Sequence, residues 1–176
     1  MTNVTIVTGG RRGIGRAASL KLAASGYTVV VNYASNHIAA GEVVNAITQA
    51  GGNSVAIKCD VALEADVLAL FSDADEIGQL KVLVNNAGVM ERQSRLDEMS
   101  TDRFRRLFDI NIFGSVLCAR EAVKRMATRH GGTGGNIINL SSGTSFLGAP
   151  GYDVEYAASN GSFDVLTISL SRDSCC

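Results

Sequence analysis

The sequence predicts an α/β protein, a doubly wound parallel sheet with helices on both faces in three layers. Three observations carry that expectation. Short β-branched runs alternate with amphipathic stretches of roughly ten or more residues, the mark of βαβ units. The runs are almost continuously apolar, as in Val29-Val30-Val31, which fits strands covered on both faces. A glycine-rich turn stands between the first run and the first amphipathic stretch.

Taken in order, Val4 to Thr8 reads as a buried strand, and Ile14 to Ser25 as an amphipathic helix ended at Gly26. Thr28 to Tyr33 is the second strand. Ala39 to Ala50 is a helix stopped by Gly51-Gly52, and Ser54 to Cys59 is the third strand. Ala65 to about Ile77 is helical, and Val82 to Asn85 is the fourth strand. One long helix is expected from Thr101 to Arg129, broken by Gly131-Gly132. Asn136 to Leu140 is the fifth strand, and Tyr156 to about Leu170 the last helix. No repeat, low-complexity tract or linker divides this series, so residues 1–170 read as one domain and residues 171–176 as an atypical tail.

Composition narrows the function classes. At 176 residues the chain is long enough to bury a sizeable core, and 46% apolar with 19% charged residues is a globular balance. A net charge of −1 with no basic block argues against nucleic acid or a membrane surface as partner. No apolar run reaches the roughly 18 residues of a membrane span. Met1-Thr2-Asn3-Val4 leads straight into a strand with no charged leader. The four cysteines, Cys59, Cys118 and the adjacent Cys175-Cys176, have neither disulfide-framework nor zinc spacing. No metal is expected, and a cytoplasmic location is.

The first chemical signal is Thr8-Gly9-Gly10-Arg11-Arg12-Gly13-Ile14-Gly15. Between a strand and a helix, glycines allow a tight turn and close backbone approach, while the helix N-terminus offers free N–H groups to a pyrophosphate. Such a run alone is a weak signal, but its place in a βαβ unit makes it a Rossmann-type dinucleotide cradle.

Further motifs follow in order: Cys59-Asp60-Val61, Asn85-Asn86-Ala87-Gly88, Asp109-Ile110-Asn111, Asn139-Leu140-Ser141-Ser142 and Tyr156. Singly, Asn86 reads equally as a turn residue, Asn111 as a helix-bend residue and Asp60 as a cap. Together they resemble the short-chain dehydrogenase/reductase family from Thr2 to Leu170. The resemblance implies an NAD(P)-binding oxidoreductase acting on a small carbonyl or alcohol, and a homo-oligomer (dimer or tetramer) packed through the long helix and the Tyr156 helix. It assigns cofactor binding to Gly9, Gly10, Arg11, Arg12, Gly13, Ile14, Gly15, Asn32, Tyr33, Asp60, Val61, Asn86, Ala87, Gly88 and Tyr156.

In members that use NAD, an acidic residue ends the second strand and holds the ribose 2′-hydroxyl. Here Asn32-Tyr33 stands there, followed by Ala34 and Ser35. No carboxylate repels a 2′-phosphate, and Arg12 can pair with one. NADP is therefore expected, with NAD as the alternative.

At the reacting end the resemblance makes Tyr156 the acid or base, gives Ser142 the substrate oxygen, and has Asn111 support a proton relay. The family's lysine, one helical turn after the tyrosine, lowers the phenol's pKa and holds the ribose; here Asn160 takes its place. An amide brings no positive charge, and an unassisted tyrosine titrates near ~10. The family also continues well past this point with further strands and a substrate-covering helical segment, so the chain reads as truncated or frame-shifted after Leu170. The leading expectation is an NADP-dependent carbonyl/alcohol oxidoreductase by family, with doubtful turnover. A nucleotide-binding pseudoenzyme and a non-functional truncation product are its alternatives.

Overall fold

A computed structural model of the chain describes residues 2–173. Five parallel strands form one sheet in the order β3-β2-β1-β4-β5: β1 Asn3–Val7, β2 Thr28–Tyr33, β3 Asn53–Lys58, β4 Gln79–Asn85 and β5 Asn136–Asn139. Seven α-helices accompany them: α1 Gly13–Ala24, α2 His37–Gln49, α3 Glu64–Ile77, α4 Thr101–Phe108, α5 Gly114–Met126, α6 Thr144–Leu147 and α7 Val154–Arg172. The three-layer α/β/α expectation therefore holds.

Period-two alternation splits the strand side chains between two cores. Val4, Ile6, Val30 and Leu83 join Val67, Leu70 and Phe71 of α3 and Cys118, Ala122 and Met126 of α5. Val7, Val29, Val31, Val82 and Val84 join Ala23 of α1 and Ala40, Val43 and Ile47 of α2 on the other face. The chain leaves β1 toward β2 on one side and later adds β4 on the other. This reversal opens a crevice beyond the C-terminal ends of the strands, where such sheets bind ligands.

Three departures from the sequence reading have physical causes. Strand β4 begins at Gln79, not Val82. Lys81 interrupts its apolar run but is accommodated as a bulge, since Val4 pairs with Leu80 while Thr5 pairs with Val82. The freed Lys81 ammonium donates to the Thr133 hydroxyl and, at 3.4 Å, to the Gly134 carbonyl.

The long helix expected from Thr101 to Arg129 is not continuous. Asp109–Phe113 forms a π-helical turn between α4 and α5, and after Met126 the chain passes through extended Ala127 into a 3-10 turn at Thr128–His130. Gly114, just after the π turn, lies so close to β3's exit loop that a Cβ there would meet Val61 Cγ2 at 2.7 Å.

Helix α7 runs to Arg172, so Ser171 and Arg172 continue it and are not part of a separate tail. The expected Cys175-Cys176 pair lies outside the described residues. Two short pieces were not foreseen: the 3-10 turn Leu96–Glu98 and α6, which occupies the loop between Ser142 and Tyr156.

Candidate functional site

The glycine turn after β1 is held by side chains that reach it from elsewhere in the fold. Thr8, buried at the end of β1, donates its hydroxyl hydrogen to the Val84 carbonyl at 3.2 Å. The same oxygen accepts from the Asn86 and Ala87 amides, both at 2.9 Å. Asn86 returns the contact, its amide nitrogen donating to the carbonyls of Thr8 at 2.8 Å and Gly9 at 3.2 Å. Gly15 is required here by proximity: a Cβ on it would stand 2.5 Å from Asn86 Nδ2 and 2.6 Å from the Gly9 carbonyl. Gly9 and Gly13 adopt φ of +63° and +54°, the left-handed region where a side chain is strained.

Asn32 closes the other side. It is 2% exposed, its Oδ1 accepts from the Gly9 amide at 3.1 Å, and its Nδ2 donates to the Cys59 carbonyl at 3.0 Å. One carboxamide, donor and acceptor at once, thus ties the glycine turn to the end of β3.

These ties shape an open cleft of about 680 Å³ at the crevice. Of the residues expected to bind cofactor, Gly9, Arg11, Arg12, Gly13, Ile14, Asn32, Asp60, Val61, Asn86, Ala87 and Gly88 line it. Gly10, Gly15, Tyr33 and Tyr156 do not. A Cβ on Gly10 would meet the Val7 carbonyl at 3.0 Å and Ser19 Oγ at 3.1 Å, so Gly10 packs the turn onto the layer behind it. Tyr33 packs against the core shared with α1 and α2, leaving Ala34 and Ser35 to line the wall beyond β2.

Arg106, Val89 and Ile110 also line the cleft and were not singled out from the sequence. Ile110 had a signal, its place beside Asn111. Arg106 had none, because only the tertiary packing brings α4 to the cleft, where its guanidinium faces Glu91 at 3.5 Å.

The charge pattern of the cleft is distinctive. Arg11 and Arg12 form no ion pair among the described residues. Helix α1 opens at Gly13 without a side-chain cap and without an acidic residue in its first turn. Unpaired helix N–H groups and free guanidinium groups together suit an anion. Asp60 is the one carboxylate of the lining; its Oδ1 accepts from the Ala62 amide at 3.0 Å. Cys59, beside it, is buried, and burial first, then Asp66 and Asp60, push its thiol up to about 12.

The expected reacting residues lie in the π turn, on α7 and on the approach to α7, outside the lining of this cleft. Asn111, 2% exposed in the π turn, is fully engaged. Its Oδ1 accepts from the Val89 amide at 2.8 Å, and its Nδ2 donates to the Val89 carbonyl at 3.0 Å and to Ser159 Oγ at 3.1 Å. The Ser142 hydroxyl accepts from the Thr144 amide at 3.3 Å and pairs with the Thr144 hydroxyl at 3.1 Å. Neighbouring Ser141 donates to the Asn160 carbonyl at 3.3 Å. The nearby hydroxyls of Ser145 and Ser141 hold the pKa of Asp164 on α7 below its ordinary value.

Asn160 is 3% exposed, and its amide nitrogen donates at 2.8 Å to the carbonyl of Tyr156, four residues back in the same helix. Asn111, Ser159, Tyr156 and Asn160 therefore form one hydrogen-bonded chain, with Tyr156 joined through its main chain.

Comparison with known proteins extends the picture. The family model described as short chain dehydrogenase matches residues 3–174. The chain is 50% identical over 171 residues to the uncharacterized oxidoreductase YgfF of Escherichia coli (strain K12), covering 97% of this chain and 69% of that protein. It is 36% identical to a 3-oxoacyl-[acyl-carrier-protein] reductase of Synechocystis, covering 97% of this chain and 67% of that one. The crystal structure of a short chain dehydrogenase from Mycobacterium avium superposes with a TM-score of 0.90 at 35% identity, over 97% of this chain and 64% of that chain. The present chain thus spans about two thirds of the length of these proteins.

Proposed function

This chain belongs to the short-chain dehydrogenase family, and on that premise we propose that it is an NADP-dependent oxidoreductase interconverting a small carbonyl compound and an alcohol. One observation carries the nucleotide part of the reading. The cleft sets a glycine turn and an uncapped helix N-terminus beside two unpaired guanidinium groups, and β2 ends without a carboxylate. The residues present fit a dinucleotide carrying a 2′-phosphate, with Arg12 as its partner and Asp60 toward the base. The bound cofactor supplies or accepts the hydride.

The protein's own groups do the rest. Gly9, Gly13 and the α1 N-terminus receive the pyrophosphate, and Asn32 and Asn86 keep that turn rigid. Ser142 hydrogen-bonds the reacting oxygen, Tyr156 gives it or takes from it a proton, and Asn111 holds the wall at Val89 against α7. Asn160 offers an amide where the family's lysine offers an ammonium. The phenol then loses the positive charge that stabilises its ionised form, and general acid–base help worth roughly 10²–10⁴-fold is reduced. The proposal extends to a cytoplasmic homo-oligomer, supported by two free buried thiols and by exposed Phe113 and Val116 beside the π turn.

Calorimetry with NADP(H) and NAD(H) tests the nucleotide part. NADP(H) is expected to bind more tightly, and Arg12→Ala to weaken it by about tenfold or more, as for a charge-assisted hydrogen bond, with NAD(H) nearly unchanged. Equal or tighter NAD(H) binding would remove the assignment. NADPH oxidation with a panel of carbonyl compounds tests the chemistry: slow turnover abolished by Tyr156→Phe is expected. Binding without turnover would instead make the chain a nucleotide-binding protein lacking catalysis.

A further inference from the structure

Tyr156 sits in the first turn of α7, so the way that turn is seated decides where its phenol points. The local sequence does little to seat it. Asp153, at the N-cap, has φ −132° and ψ 54° and makes no capping bond with its side chain. The approach contains Gly148 and Gly151 at φ +74° and +78°, and α6 ends five residues before Tyr152 with exposed Phe146 and Leu147. Something outside this stretch must fix it.

Arg103 of α4 does so. Its Nε donates at 2.7 Å to Oε1 of Glu155, the residue immediately before Tyr156, and its Nη2 reaches the same oxygen. Nη2 also stands 3.6 Å from Asp153 Oδ1, and Nη1 donates at 2.5 Å to the Arg92 carbonyl. A planar guanidinium thereby joins α4, the loop after β4 and both acidic residues at the α7 start. A second tie runs alongside, the Ser94 amide donating to the Tyr152 carbonyl at 3.1 Å.

The arrangement is costly. The side chains of Glu155 and Asp153 are 1% and 9% exposed, and Glu155 Oε2 and Asp153 Oδ1 accept no hydrogen bond. Two buried carboxylates share one guanidinium, and buried ion pairs left partly unsatisfied add little net stability while fixing geometry. Surplus stability therefore does not account for the cluster, but orientation does.

We infer that Arg103 is a positioning residue, which seats the first turn of α7 through Glu155 and so aims the Tyr156 phenol. This rests on the reading of Tyr156 as the proton-transferring group.

The test uses the full chain labelled with 3-fluorotyrosine, with the Tyr156 fluorine resonance assigned by Tyr156→Phe. Arg103→Lys keeps the charge and loses the fork; Glu155→Gln keeps the shape and loses the charge; Arg103→Met removes both charge and fork. The expected result is a shifted or split Tyr156 resonance in Arg103→Lys, with those of Tyr27 and Tyr33 unmoved. With it, kcat for carbonyl reduction should fall tenfold or more while KM and the Kd for NADPH stay within twofold. If Arg103→Met fails to fold, the two milder variants decide the matter. An unmoved Tyr156 resonance in folded Arg103→Lys and Glu155→Gln overturns the inference, whatever happens to kcat. A moved resonance in a chain that reduces no carbonyl leaves the clamp standing and removes the proposed function instead.

Discussion

At the scale of single residues, Asn32 ties together the two sides of the cleft. It was read as a substitute for an acidic ribose ligand, and it is also a brace. It accepts from the Gly9 amide and donates to the Cys59 carbonyl, using both ends of its carboxamide while buried. Asn32→Asp keeps the shape and the acceptor, yet removes the donor and buries a charge. Leaving a buried acceptor unpaired costs about 1–3 kcal/mol, so a lower urea midpoint is expected. The same change should narrow or reverse any preference for NADP(H), because a carboxylate would face the 2′-phosphate. Unchanged stability would show that Asn32 does not brace the turn.

Cys59 permits a second prediction at this scale. With its thiol held near 12 by burial and two neighbouring aspartates, it stays protonated in the folded chain at neutral pH. Iodoacetamide at pH 8 should leave both Cys59 and Cys118 unmodified until urea unfolds the protein. The linkage has a definite sign. A folded-state pKa above the ordinary 9.0 means that the folded state keeps a proton the unfolded state releases. The stabilisation is complete below pH 9 and is lost as pH rises from there toward 12. Urea midpoints falling between pH 9 and 11 would agree, and rapid native-state alkylation would contradict it.

At the scale of elements, the π turn Asp109–Phe113 connects the cleft to α7. One extra residue in the helical turn is the geometry that π-bulges use at functional sites. Here it accompanies an asparagine whose amide grips Val89 on the cleft wall and Ser159 on α7 at once. Asn111→Ala would leave the Val89 amide and carbonyl without these partners, at an expected cost of about 2–4 kcal/mol for the lost group of bonds. Hydrogen exchange offers the sharper reading: the Val89 amide should lose protection while Val30 and Leu83 in the sheet keep theirs. Intact protection at Val89 would mean that another group holds the wall.

At the scale of the whole molecule, exposed apolar surface in two places bears on association. On the α4–α5 unit, Phe113 and Val116 are 60% and 43% exposed, while Leu107 of the same unit is fully buried. A helical face of this kind supports self-association, so sedimentation should show a concentration-dependent dimer or larger species. Val116→Glu should shift it toward monomer, and a monomer at every concentration would refute it.

The second place is the β5 edge. Ile138 is 47% exposed there, beside a groove of about 200 Å³ lined by Val123, Met126, Ile137 and Leu170. An unprotected apolar edge strand is an aggregation site. Ile138→Lys is therefore expected to lower light scattering on heating without weakening nucleotide binding.

Much of this protein was legible in its sequence because the determining signals are local. Near-continuous apolar runs located the strands and helical periodicity the major helices, since each strand and helix must bury its own apolar surface. Glycine spacing located the turn after β1, since the left-handed backbone at Gly9 and Gly13 strains a side chain. What the sequence left open depends on contacts between residues distant along the chain. Lys81 fell outside the strand read from Val82, and only pairing with β1 shows that a bulge carries it within β4. The π turn was invisible because its partners, Val89 and Ser159, lie 22 and 48 residues away from Asn111. Arg103 carried no motif at all, because it reaches Glu155 across a separation of 52 residues. Local periodicity fixes which segments form; only the folded packing decides which charged and amide side chains meet between them.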